Sequence, residues 1–109
     1  MKLIIAIIHS RDKNRVIDDL VRAGFKFTII GSTGGFLREG NTTLLIAVDQ
    51  SDVNTVMDVV ASDCKAREQL VNVVPPETSA VGGFVPSPVN VPVGGAVVWV
   101  LDVERTERF

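Results

Sequence analysis

The stretch of this chain best suited to chemistry is Ser32-Thr33-Gly34-Gly35-Phe36-Leu37-Arg38-Glu39-Gly40-Asn41-Thr42-Thr43. Paired glycines let a backbone turn through positive φ and bring its N–H groups close to an anion. Hydroxyls at Thr28, Ser32 and Thr33 add donors. The Asn41 amide can make a bidentate contact with the N6/N7 edge of an adenine, and Phe36, set among polar residues, offers a flat surface for stacking. These residue types suit non-covalent work, the holding of a small anionic ligand that carries a base. The same run also reads as a tight inter-strand turn with Phe36 tucked into the core, and the residues alone leave both readings open.

Covalent or acid–base chemistry finds little support. His9 is the only histidine, and no metal-ligating cluster or nucleophile motif surrounds it; it reads as a strand-end residue first and a site residue second. Asp18, Asp19, Asp49, Asp52 and Asp58 fall at helix starts or on solvent faces, as caps and solvated charges. The single cysteine, Cys64, cannot form an internal disulfide and has no His or carboxylate placed to activate it. A lone thiol of this kind suits a reducing cytoplasm. The formal net charge of −2 excludes a general DNA, RNA or anionic-membrane binder, which needs a basic surface. A few local cations holding a small anion remain compatible with it.

The elements that must position this loop follow from periodicity. Leu3-Ile4-Ile5-Ala6-Ile7-Ile8 is an apolar run too short for a signal peptide's core, and it reads as a buried strand. The run repeats as Leu44-Leu45-Ile46-Ala47-Val48, and Asp12, Asn14, Val16, Ile17 and Asp18 recur as Asp52, Asn54, Val56, Met57 and Asp58. Each half is thus a strand, a capping stretch (Ser10 to Asp12, Ser51 to Asp52) and an amphipathic helix. Gly24 should stop the first helix, and the second should end near Cys64 to Ala66. Further strands are expected over Phe25 to Gly31, with Phe25, Phe27 and Ile29 on one face, and over Asn41 to Val48, Arg67 to Val74 and Ala96 to Val103. Between the last two lies Pro75 to Gly95, rich in Pro, Gly, Ser and Val. Proline is excluded from central strands, so this segment reads as a long exposed loop or arm.

Two βα halves of this size predict an α+β, ferredoxin-like βαββαβ sandwich spanning residues 1–109 as a single domain, with both helices on one face of the sheet. With 46% hydrophobic residues and strands that barely alternate, the other face should be buried against another subunit.

Ser-Thr-Gly-Gly-Phe-Leu-Arg-x-Gly-Asn-Thr-Thr at Ser32 to Thr43 resembles the signature of the PII-like cyclic di-AMP receptor family. Met1 to Ile7, Ala23-Gly24-Phe25, Val93-Gly94-Gly95-Ala96 and Val100 to Glu104 agree with it. The resemblance implies a PII-like fold and a homotrimer with nucleotide sites in the clefts between neighbours. It also implies a short loop after the second strand, a long one before the last, and no cofactor besides the ligand, cyclic di-AMP. Its site residues fall on Lys26, Thr28, Gly35, Phe36, Leu37, Asn41, Ala47, Trp99 and Arg108. Lys26, Ala47, Trp99 and Arg108 stand where the family's commonest pattern has Arg, Gly, Phe and Gln. Lys26 keeps the charge without the bidentate fork, Trp99 enlarges an aromatic platform or fills the core of the last strand, and Arg108 adds a cation. The expected role is cytoplasmic, non-enzymatic signal transduction, occupancy passing through loops to an unknown protein partner. A PII-like module for ATP or ADP, or a ligand-free trimeric adaptor, are the alternatives.

Overall fold

The structure is a computed structural model that describes residues 1–32, 40–72 and 88–109. Strand β1 (Lys2–His9) leads through a 3₁₀ turn (Ser10–Asp12) into helix α1 (Lys13–Arg22), followed by β2 (Thr28–Ser32) and β3 (Asn41–Val48). A second 3₁₀ turn (Gln50–Asp52) opens α2 (Val53–Cys64), and β4 (Arg67–Asn72), β5 (Pro88–Val93) and β6 (Ala96–Asp102) complete the chain. The four-stranded sheet runs β2-β3-β1-β6 with every neighbouring pair antiparallel. That is the expected ferredoxin-like order: β3 is inserted between β1 and β2, the split form of a βαβ unit.

Alternation decides what each face of this sheet does. Ile4, Ala6, Ile8, Leu44 and Ile46 are fully buried and pack against Val16 and Leu20 of α1 and Val56, Val60 and Cys64 of α2. Both helices therefore cover one face. The opposite face carries Leu3, Ile5 and Ile7 of β1, Leu45 of β3, and Ile30, Trp99 and Leu101 on the edge strands. Among the described residues of one chain nothing covers it, and Ile30, Trp99 and Leu101 are each 44% exposed. Trp99 is thus outside the helix-packed core.

The internal repeat corresponds to matching backbone. Asp12 and Asp52 precede α1 and α2 with φ/ψ of −93/−3 and −98/−6. Side-chain capping at these positions, expected from the sequence, is absent: neither residue makes a cap hydrogen bond. The 3₁₀ turns take over that task, since the Lys13 N–H donates to the Ser10 carbonyl and the Val53 N–H to that of Gln50. Gly24 does stop α1. At φ +85 it lets its own N–H reach Val21 O and that of Phe25 reach Leu20 O, both at 3.0 Å, the paired bonds of a Schellman end.

Two boundaries differ from expectation. Strand β2 starts at Thr28, not Phe25. Phe25 and Phe27 pack on the core ahead of it, while Ile29, opposite Leu44 on the helix-side face, is 42% exposed at the sheet edge. The second difference is in the expected loop from Pro75 to Gly95: its last part, Pro88–Val93, is strand, paired antiparallel with β4 in a separate two-stranded ribbon. Pro88 and Pro92 have the same parity, so both fit where the N–H position faces away from β4, which an edge strand permits. Residues 75–87 lie outside the described residues.

Candidate functional site

The residues expected to hold a ligand occupy three places in one chain. Gly35, Phe36 and Leu37 lie outside the described residues. Asn41 is buried at the first position of β3, opposite His9 on β1 and Ser32 on β2. Register therefore brings His9, the only histidine, beside the asparagine at the loop's exit. That juxtaposition was invisible in the sequence because the two residues sit on different strands.

The second place is the far end of the β2–β3 edge. Thr28 is exposed and paired with Leu45, which makes Ala47 its diagonal neighbour at roughly 7–8 Å. Continued by two residues, the same register would set the exposed Lys26 opposite Ala47. Asn41 and Ala47 share a face of β3 but stand six residues apart, about 20 Å at the strand rise. A single base cannot touch both.

The third place is the opposite edge of the sheet. Thr28, Leu45, Ile5 and Trp99 form one row across the four strands on the open face. Three strand spacings separate its ends, about 14 Å. Arg108 is exposed beyond β6, in a tail whose start is tied back to the residue ahead of β1 by the Val103 N–H donating to Met1 O. One chain thus presents an aromatic and a cation at the β6 edge, and a hydroxyl, a cation and a small residue at the β2–β3 edge.

The loop's exit is secured to the first 3₁₀ turn. The Ser10 N–H donates to Gly40 O at 2.9 Å, and the hydroxyls of Ser10 and Thr42 lie 3.3 Å apart. Two residues on, Asp12 is fully buried and its Oδ1 accepts from Arg15 Nη2 at 2.8 Å and Arg67 Nη2 at 3.0 Å. Burial alone would raise the Asp12 pKa, but the guanidiniums of Arg67 and Arg15 outweigh it and hold the carboxyl below its ordinary value. The sequence had Asp12 as a cap; the structure makes it the buried anchor of an ion-paired cluster. Fifty-five residues separate Asp12 from Arg67, so no local pattern could have announced the pair.

Asp63 behaves in the opposite sense. Burial first, and then the neighbouring Asp19 carboxyl, push it up to about 6. A raised carboxyl contributes stability below its unfolded value near 3.8 and loses it as pH rises through the folded value. Wild-type stability should therefore fall between pH 4 and 6. Asp63→Asn should flatten this fall and melt a few degrees above wild type at pH 7.5, with little difference at pH 4. Parallel melting curves for the two proteins across pH 4–8 would discard this assignment. Next to it, burial and the charges of Asp12 and Asp63 push the Cys64 thiol up to about 12, which makes it unreactive.

An apolar groove of about 440 Å³ opens between α2 and β6, lined by Met57, Val60, Ala61, Ala96 and Val98 among others. None of the described residues expected to hold a ligand lines it. Among the described residues, no group of three His, Cys, Asp or Glu side chains could hold a metal ion, and no helix is long and apolar enough to cross a membrane.

Comparison with known proteins agrees with the fold. The chain is similar to a solved structure described as a functionally unknown protein from Pediococcus pentosaceus ATCC 25745. The two are 34% identical with a TM-score of 0.76, over 99% of this chain and 96% of that one. A family model described as cyclic-di-AMP receptor matches residues 1–109, the whole length. The strand order, the motif from Ser32 to Thr43 and this full-length match lead to one assignment: the chain belongs to the cyclic-di-AMP receptor family.

Proposed function

We propose that the protein is a homotrimeric receptor for cyclic di-AMP that takes one dinucleotide in each cleft between neighbouring subunits and passes occupancy to a protein partner through its loops. The observation that carries this reading is the row Thr28-Leu45-Ile5-Trp99. It puts Thr28 and Trp99, two of the expected ligand residues, on opposite edges of an apolar face that no described residue of the same chain covers. Packing the open faces of several copies together would bury that face and set the β6 edge of one subunit near the β2–β3 edge of the next. Trp99 and Arg108 from one copy would then share a cleft with Lys26, Thr28 and Ala47 of another. Asn41 and the loop before it, with Gly35, Phe36 and Leu37, would take an adenine.

The chemistry assigned to each residue is binding only. Trp99 and Phe36 stack on bases, Asn41 reads the adenine edge, and Lys26 and Arg108 meet the phosphates. Calorimetry with cyclic di-AMP, cyclic di-GMP and ATP tests the reading. Cyclic di-AMP should bind at one per cleft and cyclic di-GMP should not. Asn41→Ala should weaken cyclic di-AMP by about 1–3 kcal/mol while leaving the melting temperature of the free protein within a few degrees. Tighter binding of ATP than of cyclic di-AMP would move the assignment to an adenine-nucleotide module. Binding of none of the three would favour a ligand-free adaptor.

A further inference from the structure

We infer that the three-residue turn Ser10–Asp12 is the mechanical link between the loop at the candidate ligand site and the β4–β5 ribbon. One end of the turn holds the loop's exit. Ser10 N donates to Gly40 O at 2.9 Å, its hydroxyl meets that of Thr42, and a Cβ added at Gly40 would lie 3.4 Å from Ser10 Oγ. The other end holds the ribbon's root. Asp12 is fully buried and accepts from Arg67, the first residue of β4.

The root itself is tightly built. Arg67 Nη1 also donates to Lys65 O at 3.2 Å, and a Cβ at Gly94 would come within 2.6 Å of Arg67 Nη1 and 2.9 Å of Lys65 O. Across the ribbon Arg67 pairs with Val93, which is buried, and the Gly95 N–H donates to Cys64 O. The ribbon strands pair with each other and not with the main sheet. Among the described residues, the contacts of Arg67 and Gly95 at this root tie them to the sandwich. Arg67 cannot shift without disturbing Asp12, and Asp12 is two residues from the contact that holds Gly40.

Ser10 and Asp12 belong to one 3₁₀ turn, closed by the Lys13 N–H donating to the Ser10 carbonyl, the i→i+3 bond of such turns. A displacement of Gly40 to Thr42 would accordingly move Ser10 and Asp12 together, and Arg67 with them. This gives the proposed receptor a physical route from loop to ribbon through named contacts. The route rests on the ligand reading only for what drives it.

A double-mutant cycle read by hydrogen exchange decides the matter. Ser10→Ala removes the hydroxyl contact from the side of the turn, and Thr42→Val removes it from the side of the strand. In the presence of Arg67, each should change amide exchange in β4 and β5 by at least about threefold, a shift of the size such cycles resolve. Combined with Arg67→Gln, neither should change ribbon exchange further. Unaltered exchange in β1 and α1 confirms that the sandwich is intact in every variant. Equal effects with and without Arg67, or no effect of either loop-side change, would overturn the link. Calorimetry of Arg67→Gln with cyclic di-AMP completes the test: binding should persist while the ligand-induced change in ribbon exchange disappears. A ligand-induced change that survives in Arg67→Gln would overturn the link. A wild type that takes no cyclic di-AMP would remove the ligand reading, with the cycle still deciding the link.

Discussion

Ile5→Lys is expected to turn the proposed trimer into a folded monomer. Ile5 lies at the middle of β1, an internal strand, on the face away from both helices, between Leu45 and Trp99. In one chain a lysine there reaches water and costs the fold little. In the proposed trimer it would bury an unpaired ammonium once per subunit, at several kcal/mol each even after relaxation. No interface made of Leu, Ile and Trp offers a carboxylate to meet it. Ile4→Lys, one residue away, is the contrasting control. Ile4 is fully buried under the helices, so the charge would fall in the domain core and the chain should fail to fold. Light scattering with circular dichroism separates the two outcomes. Wild type should give about three chain masses, Ile5→Lys one with its secondary structure retained, and Ile4→Lys no cooperative melting. A wild-type monomer, or an Ile5→Lys trimer, would refute the proposed packing of open faces.

The second large effect is expected at Asp12, and its direction depends on which partner is removed. Asp12→Ala leaves Arg15 and Arg67, whose side chains are 60% and 40% exposed. Both guanidiniums can rehydrate, so the loss is that of a few charge-assisted hydrogen bonds, about 1–3 kcal/mol. The double variant Arg15→Ala with Arg67→Ala does the reverse and strands a fully buried carboxylate without a cation. Breaking a buried pair in this way costs about 3–5 kcal/mol, a large part of the stability of a small domain. The pH dependence should also invert. In the wild type the Asp12 pKa is depressed, so its contribution is present above the unfolded value near 3.8 and is lost as pH falls through the folded one. Without the arginines only the desolvation remains, the pKa rises, and the variant should gain relative stability as pH falls toward 4. Chemical denaturation of the three proteins at pH 4 and pH 7.5 checks both claims. A double variant no less stable than Asp12→Ala at pH 7.5 would show that Asp12 is not held by these two cations.

Much of this architecture follows from local pattern. Leu3 to Ile8 and Leu44 to Val48 had to be buried strands because apolar runs of that length have few other ways to leave water. The face formed by Val16, Leu20, Val56 and Val60 had to meet them because helical spacing puts these residues on one side. Gly24 ended α1 because the position calls for positive φ, and the second, uncovered sheet face was implied by strands that do not alternate. The motif from Ser32 to Thr43 pointed to the family without any geometry.

Tertiary structure decided what depends on residues distant in sequence. Prolines concealed β5, since their strand compatibility rests on which edge is unpaired and not on their own preferences. Asp12 read as a cap until Arg67, from the far side of the chain, arrived to neutralise it. Register alone revealed that Asn41, Ala47 and Trp99 occupy separate places on one face, and that His9 stands opposite Asn41. Periodicity reports which way a side chain points, because it is set by the backbone of a few successive residues. It carries no information on which strand lies alongside, and that pairing is what assembles charges, edges and faces into a site.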